Sequence, residues 1–186
     1  PVILDAKRGD VGSTAEQYAR EVFVRYKADA VTLSPFMGLD SIEPYMRFDG
    51  KGLFLLCRTS NPGGTDLQMQ RLEGGELLYE HIARLAAGPW NSGGQLGLVV
   101  GATYPDELSR VRSLAPTLPL LIPGVGAQGA SAKDAMAAWH PSAPVIVNSS
   151  RAVLYAATRE GETFLDAARR VALATRDELN AAYSPV

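Results

Sequence analysis

Short apolar runs alternate along this chain with longer segments in which apolar residues recur every three or four positions. The runs occupy residues 2–4, 30–33, 53–57, 96–100, 118–122 and 145–147. They are mostly continuous rather than alternating, as parallel strands covered on both faces are. The segments between them read as helices. Ser13-Thr14-Ala15-Glu16 is a capping-box pattern, opening a helix with Ala15, Tyr18, Ala19, Val22, Phe23 and Tyr26 on one stripe. Residues 77–87 form a second amphipathic helix. Residues 105–114 start with proline and acidic side chains, as helix N-termini prefer. Residues 131–139 and 163–182 complete the set, with a shorter helix over 41–47 and an interruption at Gly74-Gly75.

Strand and helix alternating at this spacing predict an α/β fold with a parallel sheet, in one domain over residues 1–186. The count is six βα units. Eight units close a TIM barrel of about 250 residues; six strands also make an open doubly wound sheet. Periodicity leaves both open.

Bulk properties remove several function classes. The formal net charge is -2, with Lys and Arg scattered along the chain, so no electrostatic footprint for nucleic acid or an anionic membrane is visible. No apolar run approaches the roughly 18 residues of a spanning helix. The lone Cys57 cannot form an internal disulfide and lies inside an apolar run, which predicts a buried core thiol and a reducing, cytoplasmic setting. Pro1 opens directly on a strand. Either an initiator Met was removed or the chain has lost its beginning, and the unit count favours the second.

Three stretches carry candidate chemistry. The first is Asp5-Ala6-Lys7-Arg8-Gly9-Asp10 at the end of the opening run. Strand alternation puts Asp5 and Lys7 on one face, with Asp10 a short turn later. Two carboxylates and an ammonium are costly to desolvate, and such clusters concentrate where charges do chemistry. The second is Pro123-Gly124-Val125-Gly126-Ala127-Gln128-Gly129, with Ser149-Ser150-Arg151 after the next run. It matches G-x-G-x-x-G, but no acidic residue follows about 20 positions later, as a dinucleotide site wants, although Arg151 is compatible with NADP. A phosphate cup after the last two barrel strands is the better account: glycines for close backbone approach, an amide from Gln128, a forked cation from Arg151. The third is Arg58-Thr59-Ser60-Asn61-Pro62-Gly63-Gly64, where Ser60 can hydrogen-bond a polar ligand edge. His81 and His140 read as structural.

Together these motifs resemble the orotidine 5'-phosphate decarboxylases, in their longer-chain bacterial branch. The D-x-K-x-x-D signature is present as Asp5, Lys7 and Asp10. The likeness covers essentially the whole chain, in order. It implies a TIM (β/α)8 barrel of which about six units are present. It further implies decarboxylation of orotidine 5'-monophosphate to UMP, with no metal and no organic cofactor. Lys7 is implied as proton donor, beside Asp5. Asp10 and Thr14 are implied to reach the neighbouring subunit's site in a homodimer. Ser60 is implied to contact the pyrimidine; Pro123, Gln128, Ser150 and Arg151 to surround the phosphate. The family begins with two further βα units, which supply a ribose-binding aspartate and a second lysine. Neither has a counterpart here, so the chain is expected to lack its first quarter. Two rival readings stand: a Mg2+-dependent sugar-phosphate decarboxylase or synthase of the same barrel group, and a noncatalytic phosphate-binding fragment.

Overall fold

A computed structural model describes residues 1–126 and 129–183. Six strands form one sheet: β1 (Ile3–Arg8), β2 (Ala30–Leu33), β3 (Gly52–Arg58), β4 (Leu96–Val100), β5 (Leu120–Pro123) and β6 (Val145–Asn148). They lie in chain order β1-β2-β3-β4-β5-β6, and every neighbouring pair is parallel. The helices are α1 (Gly12–Arg20), α2 (Glu43–Met46), α3 (Thr65–Gln68), α4 (Leu78–Ala87), α5 (Pro105–Leu114), α6 (Ala132–Met136), α7 (Arg151–Leu154) and α8 (Phe164–Ala182).

The period of two along each strand sorts side chains into two packed layers. Val31, Leu53, Leu55, Cys57, Leu96, Leu98, Leu120 and Ile122 face the helices and pack with Ala19, Val22, Ala83 and Leu108. Their alternates Ala30, Phe54, Val99 and Leu121 form a second cluster with Ile3 and Leu56 on the other face. Both faces are thus apolar, which is why the runs are continuous. The Cys57 thiol belongs to the helix-facing layer, and burial pushes its pKa up.

Four boundaries differ from the sequence expectation. Ser13 does not cap α1: Gly12, at φ +54°, swings the chain into the helix first, and the cap position falls on Val11. After Arg20 the helix widens into a π segment, Glu21–Arg25, closed by Tyr26 N–H donating to the Glu21 carbonyl at 2.9 Å. That extra residue per turn rotates the stripe. Val22 and Phe23 remain buried, but Tyr26 turns to solvent. The strand expected from 118 begins at Leu120, because Pro119 has no N–H for the ladder. The helix expected to reach 139 ends at Met136, although its start is as read, with Ser131 and Asp134 closing a capping box. Thr163 caps α8 by accepting the Asp166 N–H.

Candidate active site

The C-terminal ends of the strands surround a cavity of about 650 Å³. The inward layer forms its floor: Ile3, Leu56, Val99, Leu121 and Ile146. Polar groups crown it. Asp5 and Lys7 come from β1, Thr59, Ser60 and Asn61 from the loop after β3, Pro123 from β5, Asn148 from β6 and Ser150 from the turn into α7. An apolar base with a few convergent polar groups is the ordinary form of a small-molecule site.

The charged pair lies as strand alternation requires. Lys7 Nζ is 2.5 Å from Asp5 Oδ1. The Thr32 hydroxyl donates to the same oxygen at 2.8 Å. Partial burial pushes the Asp5 carboxyl up, but the hydrogen bonds from Lys7 and Thr32 and the Lys7 charge outweigh it. Asp5 is held below the usual carboxylate range.

The loop after β3 is pinned from beneath. Gln68 Nε2 donates to Thr59 Oγ1 at 2.9 Å, and Thr59 N–H donates back to Gln68 Oε1 at 2.9 Å. Thr103 Oγ1 donates to the Ser60 carbonyl at 3.2 Å. Arg58, fully buried, lies with its guanidinium 3.8 Å from the Tyr104 ring centroid and within 3.8 Å of Glu107. The edge of the cavity formed by the loop after β3 is therefore braced.

A second hollow of about 130 Å³ adjoins the first, sharing Pro123, Asn148 and Ser150 with it. Gly124, Val125, Ser149 and Arg151 complete its wall. Gly124 (φ +103°) and Gly126 (φ +82°) sit where an L side chain is strained. The loop closes on itself through Gly126 N–H to the Ala130 carbonyl at 3.1 Å. This is an anion-sized recess at one end of a larger, mostly apolar cavity.

Comparison with known proteins assigns this arrangement. The family model described as "Orotidine 5'-phosphate decarboxylase / HUMPS family" matches residues 1–163. The chain belongs to that family. It is 72% identical over 186 residues to the orotidine 5'-phosphate decarboxylase of Polaromonas naphthalenivorans, covering 98% of this chain and 65% of the relative. It is 70% identical to that of Albidiferax ferrireducens, covering 100% and 69%. The chain thus spans about two thirds of the length of these relatives. Among solved structures, the Leishmania donovani OMP decarboxylase superposes with a TM-score of 0.83 at 44% identity, covering 98% of this chain and 68% of that one. The Leishmania donovani UMP synthase gives 0.86 at 45% identity, covering 98% and 39%. The six parallel strands are accordingly an arc of the family's TIM (β/α)8 barrel.

The decarboxylase-family motifs meet unequally in space. Asp5, Lys7, Ser60, Pro123 and Ser150 line one cavity, and Arg151 lines the recess beside it. Asp10 and Thr14 do not line it. Asp10 Oδ1 accepts the Val11 N–H at 2.9 Å, and Thr14 is exposed in the first turn of α1. Gln128 lies outside the described residues. Thr59, Asn61 and Asn148 line the cavity without having been singled out as site residues, though each is a polar side chain at the C-terminal end of an apolar strand. Thr32 was also missed. Among the described residues, no group of three or more His, Cys, Asp and Glu side chains is arranged to hold a metal ion.

Proposed function

We propose that this protein decarboxylates orotidine 5'-monophosphate to UMP in de novo pyrimidine synthesis. The reading rests on one observation: in a chain about 70% identical to enzymes of that name, Asp5 and Lys7 stand at the rim of a cavity that continues into the glycine recess beside Arg151. Residues 1–186 then act as part of one barrel domain.

The phosphate occupies the recess, held by backbone N–H groups near Pro123 and Ser150, by Gln128 and by Arg151. Ser60 hydrogen-bonds the pyrimidine. The C6–carboxylate bond breaks, CO2 leaves, and the electron pair stays on C6. The Lys7 ammonium stabilises that carbanion and gives it a proton. Asp5, beside the departing carboxylate, disfavours the ground state more than a transition state already losing CO2. Binding energy from the remote phosphate supports ordering of the site. Asp10 and Thr14, which do not line their own cavity, serve the neighbour's site in a homodimer. No metal or organic cofactor takes part, and the enzyme works in the cytoplasm.

The test is turnover by the intact protein. Lys7→Ala is expected to abolish UMP formation while leaving UMP binding largely intact. Near-normal turnover by Lys7→Ala would overturn the role given to that residue. The family description also spans HUMPS proteins, which keeps a sugar-phosphate lyase as the second reading. Turnover that survives EDTA favours the pyrimidine reading, and strict Mg2+ dependence favours the other. UMP binding without turnover in the intact wild-type protein would leave a phosphate-binding module.

A further inference from the structure

Among the described residues, Thr32, Ser41 and Arg58 are the buried polar or charged side chains. The Ser41 hydroxyl caps the Gly38 carbonyl at 2.6 Å, and Arg58 braces the loop after β3. Thr32 differs from both, because it lies opposite an irregularity in the strand that carries Asp5 and Lys7. Along the β1–β2 ladder Leu4 pairs with Val31 and Arg8 pairs with Leu33. Three residues of β1, Asp5 to Lys7, therefore face one residue of β2. Regular pairing cannot satisfy their backbone groups. Lys7 absorbs the excess length with φ +47°, a conformation that L side chains rarely adopt.

The Thr32 side chain takes over where the ladder lapses. Lys7 N–H donates to Thr32 Oγ1 at 3.0 Å. Thr32 Oγ1 donates to Asp5 Oδ1 at 2.8 Å. Lys7 Nζ returns to that same oxygen at 2.5 Å. The three bonds close a ring through backbone and side chains. A hydroxyl is the smallest group that both accepts and donates here. Valine has the same shape and does neither.

We propose that Thr32 is a positioning residue for the reaction: its hydroxyl holds the Lys7 backbone in the left-handed bulge and aims the Asp5 carboxylate at the Lys7 ammonium. The proposal rests on the decarboxylase reading only for its consequence in turnover. The hydrogen-bond ring stands without it. Thr32 touches neither substrate nor reacting atoms in this role; it sets where the two groups that do are held.

Two readouts test it, on wild type, Thr32→Val and Thr32→Ser. Carbon-detected NMR titration of Asp5 in the intact protein is expected to give a higher pKa in Thr32→Val and a value near wild type in Thr32→Ser. In the intact protein, Thr32→Val is expected to lower kcat roughly ten- to a hundredfold, the weight of a hydrogen bond to a charged group. KM should move far less, and Thr32→Ser should restore most of the loss. Thr32→Ala supplies the same comparison if the valine variant does not fold. An Asp5 titration and a kcat in Thr32→Val that both match wild type would overturn the proposal. So would a Thr32→Ser variant as impaired as Thr32→Val, since the methyl would then be what matters. If Asp5 titrates as expected but the wild-type protein turns over no orotidine 5'-monophosphate, the positioning role stands and the decarboxylase reading falls.

Discussion

Gly101 and Ser60 touch backbone to backbone: a Cβ on Gly101 would lie 2.7 Å from Ser60 Cβ and 2.8 Å from Ser60 Cα. Gly101 follows β4 directly, and its N–H donates to the Arg58 carbonyl at 2.7 Å. No rotamer change relieves such a clash, so Gly101→Ala must shift the loop after β3. The expected cost is about 1–3 kcal/mol in stability, the usual range for overpacking. Weakened UMP affinity should accompany it, because Ser60 moves with the loop. Urea unfolding and calorimetric titration of the intact protein check the two effects. Wild-type affinity in Gly101→Ala would remove Ser60 from the binding edge.

Asp10 and Lys7 sit on one short segment yet face different surroundings. If each site takes Lys7 from one subunit and Asp10 from the other, a heterodimer of Asp10→Asn and Lys7→Ala has one site with both residues intact and one with neither. Mixed subunits are therefore expected to regain up to half the wild-type activity per pair, on a simple count of sites. Activity assays on purified heterodimers check this. No recovery in verified heterodimers counts against a shared site.

Lys27 follows the π segment in the left-handed region, at φ +54°. It is exposed and makes no use of its side chain that glycine would forfeit to the core. A left-handed L residue costs roughly 1–2 kcal/mol, partly offset by the unfolded-chain entropy of glycine. Lys27→Gly is expected to raise stability by about 0.5–1 kcal/mol, read as a higher urea midpoint with an unchanged slope.

Glu162 ties the segment before α8 to the helix itself. Arg170 Nε and Nη2 reach its two carboxylate oxygens at 2.8 and 2.9 Å, and Arg159 N–H adds a bond at 2.9 Å. The Arg170 and Arg159 bonds hold its pKa down at about 2. A carboxyl lower in the folded than the unfolded state stabilises fully above its unfolded value near 4.3. That contribution fades as pH falls towards 2. Thermal melts of wild type should therefore lose ground to Glu162→Gln over that window, and the two curves should run parallel above pH 5.

Much of this was legible in the residues. The continuous runs marked the strands because both sheet faces are covered, by helices on one side and the Phe54–Val99–Leu121 cluster on the other. Asp5 and Lys7 could be paired by alternation alone. The helical segments read from residues 131 and 163 do start there, with Ser131 and Thr163 as caps, whereas the capping box read at Ser13 fails because Gly12 turns the chain first. Thr32 was not legible: inside Ala30-Val31-Thr32-Leu33 it reads as an ordinary β-branched strand residue, and its partner is a bulge 25 positions away. The Gln68–Thr59 pairing was hidden for a similar reason, since a glutamine ending a four-residue helix gives no sign of which loop it supports. The π widening at Glu21 has no local residue signal, and it misplaced Tyr26.

Sheet order and chain order coincide in this molecule, and that bears on how it comes together. Within this arc each strand finds its neighbour across one intervening connection. Sequence separations stay short, which favours fast assembly for a parallel sheet. The Asp5–Lys7–Thr32 ring needs only β1 and β2, whereas the recess beside Arg151 exists only after β6 has docked. The charged pair thus rests on contacts between strands adjacent in the chain, and the grip on the anion on the last strand of the sheet.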